Sequence, residues 1–253
     1  MSVSIGILSC AGAPLLGRLL AALDERGLPV TAVIMDARGM PAKNATLFAE
    51  RTAGRLPPVD PAPFRDAGVP FHTVDDHNDA TAVALVRELG IDVLFSQATP
   101  RILKGDILAA APVGVVNVHP GLLPEYRGAT CVEWAIHDDA PVGLTAHLMS
   151  AEIDAGAIIR RRVLDVRPDD TYTDIRVRVY RESVALQAEI AADLWAGAIG
   201  PGDFTPQPEG TFHRPIDDAR MAEVMRKIES GAYARARAAG AAREQEHEHA
   251  SRS

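Results

Sequence analysis

Apolar residues arrive in short bursts through the first half of the chain, and two spacings alternate among them. Val3 to Ser9 is a brief apolar run that fits a buried strand, and Leu15 to Leu23 then repeats leucine at helical spacing until Arg26-Gly27 stops it. Val30 to Met35 is a second β-branched run, and Val69 to Val74 a weaker third. Ala80 to Leu89 predicts an Ala/Leu-rich helix with Asn78 or Asp79 placed to cap it. Ile91 to Phe95 predicts a strand, Ile102 to Ala110 a helical stretch, and Val113 to Val118 another strand. Strands alternating with helices predict the α/β class: a Rossmann-like, mostly parallel sheet flanked by helices. Such sheets bind ligands beyond the carboxyl ends of their strands, which directs attention to the loop that begins near Asn117.

The second half changes rhythm. Leu144 to Met149 alternates as a strand does, and Ala157 to Val166, with three arginines, predicts an exposed hairpin arm. A long helix is expected from Thr173 to Leu194, with Asp170 or Thr171 as its cap. A Pro/Gly-rich stretch from Pro201 to Gly210, a short helix from Asp217 to Ile228 and an Ala/Arg/Glu/His tail follow. The expected organisation is one catalytic domain over residues 1–200, a short C-terminal extension over 201–240, and a disordered tail over 241–253 that includes His247 and His249.

Composition narrows the classes. With 253 residues, 47% of them hydrophobic, the chain can bury a substantial core. It has no run of about 20 apolar residues and no secretory start, so a cytoplasmic protein without membrane contact is expected. A formal charge of −8 is poor footing for neutralising many phosphates, which argues against a nucleic-acid partner. Cys10 and Cys131 make neither a disulfide framework nor a zinc pattern, and both are expected to be reduced packing residues. His72, Asp75, Asp76, His77 and Asp79 fit exposed loop polarity and helix capping better than a metal site, because nothing else completes a ligand set; no metal is expected. Gly6, Gly12 and Gly17 miss the Gly-x-Gly-x-x-Gly spacing, which counts against a nicotinamide enzyme on the same layout.

Candidate chemistry concentrates in Asn117-Val118-His119-Pro120-Gly121-Leu122-Leu123-Pro124-Glu125-Tyr126-Arg127-Gly128. Two prolines and two glycines directly after a buried strand hold side chains in place rather than continue regular structure. Asn117 and His119 are two residues apart, so on a strand they point to one face as a donor pair. Gly143-Leu144-Thr145-Ala146-His147 and Ile153-Asp154-Ala155-Gly156-Ala157-Ile158 form a second polar island.

This order of motifs, from about Ile91 to Thr173, resembles the folate-dependent formyltransferase family: Asn-x-His, a Leu-Leu-Pro loop, Gly-x-Thr-x-His, then Asp-x-Gly-x-Ile. The resemblance implies a formyltransferase fold, Asn117, His119 and Asp154 as catalytic residues, and 10-formyltetrahydrofolate as cosubstrate. It places the pterin near Phe95 to Leu103, the Gly121-Leu122-Leu123-Pro124 loop, and Ile153 beside Asp154. Many members carry Ser where this chain has Gly121, so a hydroxyl contact there is missing. The chemistry asks for the same residue types. Formyl transfer between amines passes through a tetrahedral species with a negative oxygen while the attacking nitrogen loses a proton. Asn117 can donate to the oxyanion, and His119 can donate a second, charge-assisted bond if the Asp154 carboxylate holds it protonated.

The acceptor is less legible. The segment Cys10-Ala11-Gly12-Ala13-Pro14 lacks the phosphate loop of glycinamide ribonucleotide enzymes, and the acidic chain has only about 50 residues after Gly202, unlike the initiator-tRNA enzymes. A small amine is expected, either a nucleotide-linked amino sugar or an amino-acid-like intermediate. It is expected near Ser9 to Ala13 and the loop Asp36 to Asn44, with Lys43 and Arg38 for a phosphate or carboxylate. His147 can line the acceptor side or pack beneath the loop, and Arg127 can bind a substrate anion or anchor its own loop. A hydrolase that passes the formyl group to water and a non-catalytic folate binder are the rival readings. The Arg160-Arg161-Arg162 arm and the long helix from Thr173 are candidate homodimer surfaces.

Overall fold

The computed structural model describes residues 2–238. Seven strands form one sheet in the order β3-β2-β1-β4-β5-β7-β8, where β1 is Ile5–Cys10, β2 Val30–Asp36, β3 Phe71–Val74, β4 Val93–Ser96, β5 Gly114–His119, β7 Gly143–Leu148 and β8 Ile158–Val163. The first five are mutually parallel; β7 is antiparallel to both β5 and β8, so the sheet is mixed on the side that carries the polar motifs.

Strand alternation divides the core into two. On one face Ile5, Ile7, Val93, Phe95, Val116 and Val118 meet α1 (Leu16–Asp24), α5 (Cys131–His137) and the long α6 (Tyr172–Trp195). On the other, Leu8, Ile34, Leu94 and Val115 meet α4 (Ala80–Glu88). The remaining helices are α2 (Ala42–Thr52), α3 (Ala62–Asp66) and α7 (Asp218–Glu229), and β6 (Arg127–Gly128) pairs in parallel with β9 (Phe212–His213).

Local chemistry sets the ends of these elements. Asp79, rather than Asn78, caps α4 by accepting from the Ala82 amide at 2.8 Å. Thr171 and Asp174 form a reciprocal capping box that starts α6. Asn78 is spent elsewhere: its side chain accepts from Lys104 N at 2.8 Å and donates to Ile102 O. That clamp keeps residues 102–104 out of a helix, so the helix expected from Ile102 to Ala110 shrinks to a single 3-10 turn, Gly105–Ala109.

Two further expectations change, and one helix was not expected. The arginine-rich segment is no free hairpin arm but the edge strand of the main sheet; Arg160 binds Asp193 at 2.7 Å, and Arg162 binds Glu182 at 2.9 Å and also Glu189, all on α6. His77 is fully buried rather than exposed loop polarity, with Nε2 3.0 Å from the Ile34 carbonyl. α2 carries too few apolar residues to show a helical period, since Phe48 and Thr52 are its buried positions.

Phe204, Val224, Ile228 and Tyr233 insert into the same core as α6, so residues 201–238 pack on the body of the molecule. The tail expected over 241–253 lies outside the described residues. Among the described residues no helix is long and apolar enough to cross a membrane.

Candidate active site

Register builds the site. Asn117 stands directly opposite His147, and His119 opposite Thr145, across the antiparallel β5–β7 pair. Their neighbours Val116, Val118, Leu144 and Ala146 fill the α6-side core, so period-2 alternation sends all four polar side chains to the other face. The loop between β7 and β8 then brings Asp154 to them: its Oδ2 lies 3.4 Å from His119 Nδ1 and its Oδ1 3.7 Å from His147 Nε2.

Asp154 is held in the left-handed region, with φ 54°. Its carboxylate accepts from Gly128 N at 2.9 Å, and its carbonyl accepts from Gln207 Nε2 at 3.1 Å. Gly156 explains the glycine of the Asp-x-Gly motif: a Cβ there would lie 1.9 Å from the Leu148 carbonyl oxygen. Thr145 fixes the Leu-Leu-Pro loop from below, donating to Gly121 O at 2.8 Å and accepting from Leu123 N at 3.0 Å.

The histidines differ in role. His147 Nδ1 is 2.8 Å from Leu148 O and must carry the proton there, which leaves Nε2 to accept from Asn117 Nδ2 at 3.2 Å. Burial pulls His147 down to about 4, against the opposing pull of Asp154, in keeping with that neutral tautomer. His119 Nε2 is 2.7 Å from Tyr126 O, so its proton is donated to that carbonyl and Nδ1 faces Asp154. Burial also lowers His119 below its ordinary value, although Asp154 and the Tyr126 carbonyl oppose it.

Several predicted residues sit close to this centre. Leu122 and Leu123 are buried, with a cis bond between Leu123 and Pro124, and Gly121 lies against His119. A Cβ at Gly121 would come within 2.8 Å of both His119 Nε2 and Tyr126 O, so the departure from Ser matches a loop drawn in too closely for any side chain.

Others take structural places. Phe95 and Leu103 are buried in opposite cores, and both shape the segment after β4 from beneath. Ile102 and Ile153 are exposed instead, at 68% and 46%. Ser9 is buried and donates to Gln97 O at 2.8 Å, tying β1 to the same segment. Arg127 is buried, with Glu152 at 3.3 Å, Gln207 Oε1 at 3.2 Å and Pro208 O at 2.9 Å, so it anchors its own loop. Lys43 is exposed on α2. Cys131 is buried and its thiol is pushed up to about 12 by desolvation, which makes it a packing residue.

Sequence reasoning missed Gln207 and the Tyr126 carbonyl. Gln207 lies in an irregular stretch with no motif, and a backbone acceptor leaves no residue-type signal.

Asn, His and Asp converging on the strand ends of a Rossmann-like sheet define a proton-handling group-transfer centre. Comparison with known proteins gives its kind. Residues 12–189 match the formyl transferase family. A methionyl-tRNA formyltransferase of Anaeromyxobacter dehalogenans (strain 2CP-C) is 34% identical over 210 residues, covering 80% of this chain and 63% of the relative. Another, from Roseiflexus castenholzii, is 36% identical over 188 residues, covering 72% and 58%. The chain thus spans less than two thirds of the length of these curated relatives. Among solved structures, glycinamide ribonucleotide transformylase 1 from Symbiobacterium toebii superposes with a TM-score of 0.59 at 25% identity, covering 82% of this chain and 95% of that one. A sugar N-formyltransferase from a Shewanella species shares the fold, with a TM-score of 0.56 at 21% identity over 85% and 78% of the two chains. The protein belongs to the formyl transferase family.

Proposed function

We propose that the protein transfers the formyl group of 10-formyltetrahydrofolate to the amine of a small molecule, using Asn117, His119 and Asp154 as catalytic residues. The observation that carries this reading is the convergence of His119 and His147 on the two oxygens of Asp154, with Asn117 bonded to His147, inside the matched family region. Exposed Ile102 and Ile153 suit the cosubstrate, since each offers an apolar contact for a flat ring on a segment that the motif pattern assigns to the pterin. The bound folate supplies an activated formyl carbon.

The residues do the rest. Asn117 spends one amide hydrogen on His147 and keeps the other for the oxygen that becomes negative as the amine adds. His147 positions that amide. The Asp154 carboxylate, which faces His119 Nδ1, takes the proton lost by the attacking nitrogen and shares it with that ring nitrogen, while His119 Nε2–H stays bonded to Tyr126 O. The same proton then leaves for the departing folate nitrogen.

The named acceptors of the relatives and structural neighbours include a tRNA-linked amine, a ribonucleotide amine and sugar amines. The net charge of −8 favours a small molecule over tRNA for this chain. The test is tetrahydrofolate release from 10-formyltetrahydrofolate, followed by absorbance across a panel of amines, with His119→Ala as control. Release that needs an amine and is lost in the variant supports the transferase. Release without any amine makes the protein a hydrolase, and folate binding without release makes it a binder.

A further inference from the structure

A cavity of about 340 Å³ opens beyond the carboxyl ends of β1 and β4. Pro14 and Leu15 enter it from the turn after β1, and Gln97 and Ala98 from the segment after β4. Asn44, Leu47, Phe48 and Arg51 enter from one face of α2, and Tyr180 from α6. The cavity lies at the carboxyl ends of β1 and β4, and β4 pairs with β5, whose own carboxyl end carries Asn117 and His119.

Its wall is mostly apolar, with Asn44, Gln97 and Tyr180 as neutral polar groups and a charged cluster at one end. There Arg51 Nη2 lies 3.1 Å and Arg176 Nη1 3.6 Å from the same oxygen, Glu133 Oε1, which also accepts from the Tyr172 hydroxyl. Two guanidinium groups share one carboxylate, so the cluster carries one positive charge in excess. Arg51 Nε, Arg176 Nε and Glu133 Oε2 are all buried without a hydrogen-bond partner. Burial works against both charges, yet Glu133 holds Arg51 above its ordinary value, and Arg176 and Arg51 hold Glu133 below its own, so both stay ionised. Asp174, the next acidic group along α6, is already paired with Arg55 at 2.6 Å. Arg51 is the member of the cluster that lines the cavity. A buried cluster with one guanidinium in excess of its carboxylate costs free energy that an incoming anion recovers.

We propose that this cavity selects the acceptor, and that the acceptor is an apolar α-amino acid or a compact analogue of one. Its single carboxylate meets Arg51, its side chain lies against Leu15, Leu47 and Phe48, and its amine is presented to Asn117 and His119. The volume suits one amino acid side chain and its α-carbon groups. The proposal rests on the formyl-transfer reading above. In the step it implies, the amine nitrogen bonds to the formyl carbon and the bond from that carbon to the folate nitrogen breaks. The proton shed by the amine ends on that folate nitrogen, leaving an N-formyl amino acid and tetrahydrofolate with no change in oxidation state.

The experiment measures tetrahydrofolate release by the full-length protein with leucine, methionine and phenylalanine, with their methyl esters, and with a phosphorylated and a nucleotide-linked amino sugar. The expected result is turnover of the free amino acids, with each ester showing a KM raised about tenfold or more. Arg51→Gln raises the KM of the free acids by a similar factor while the KM for folate and for the esters stays put, and Arg51→Lys recovers part of the loss. Leu47→Arg, at a half-exposed position that folding tolerates, raises the KM of acids and esters together. Equal KM values for acid and ester, or turnover confined to the sugar amines, overturn the proposal and leave formyl transfer standing. No release with any acceptor and no folate binding overturn both.

Discussion

The two halves of the sheet are built on opposite principles. Around β5, β7 and the loops beyond them nearly every polar atom has a named partner: Asn117 has His147, His119 has Tyr126 and Asp154, Asp154 has Gly128, and Thr145 has both Gly121 and Leu123. Around the cavity beside α2 the wall is mostly apolar, and the Arg51–Glu133–Arg176 cluster at its end is left with an excess charge and orphaned nitrogens. A centre that performs the same proton transfers in every turnover gains from being held before substrate arrives. A surface that recognises a particular molecule gains from incomplete pairing that this molecule alone completes.

The largest effect should fall on the fully paired half. His119→Ala is expected to lower kcat on the order of a thousandfold, with the folate KM little changed, because the ring that shares the proton with Asp154 is lost while the binding walls remain. Steady-state tetrahydrofolate release measures it; a variant with near-normal kcat would move catalysis away from this half.

Gly121→Ser comes next. The added side chain meets Tyr126 O and Cys131 Cβ within 3.0 Å, so the loop must shift, at a cost of about 1–3 kcal/mol in thermal unfolding and with a clear drop in kcat. Unchanged stability and rate would show that the loop is looser than its contacts suggest. Thr145→Val keeps the shape but removes both loop bonds, and should cost about 1–3 kcal/mol for the two backbone groups left buried.

The smaller effects concern pH and the open half. His147 binds a proton near 4 in the folded chain and near 6.5 when unfolded, so the unfolded chain holds more protons between those values. Stability should therefore rise with pH from about 4 to about 6.5 and level off above, and His147→Gln should flatten that slope in denaturant titrations across the window. Lys43→Ala, on the exposed side of α2, should change acceptor KM by less than about threefold, well below Arg51→Gln. A larger effect would restore the loop cations as the anion site and close the contrast between the halves.

Much of this was visible in the sequence because it is local. Val30 to Met35 and Val113 to Val118 lie close to the observed β2 and β5, since β-branched alternation needs no tertiary partner to show itself. The Asn-x-His spacing foretold that both side chains share a face, and the Asp-x-Gly pair marks a turn in which only glycine escapes the Leu148 carbonyl. The α2 helix was silent, because its buried face is two residues wide and its polar face resembles a loop.

The chain's own order of residues thus determined the strand-and-helix rhythm, the polar face of β5 and the family to which the motifs belong. Only the tertiary structure decided the rest. It alone places Thr145 under the loop, Asp154 against His119, and Arg51 of α2 with Arg176 of α6 on one carboxylate of α5. The physical reason is common to all three: register, desolvation and charge balance are properties of groups far apart in sequence, and no residue carries them before the chain closes around it.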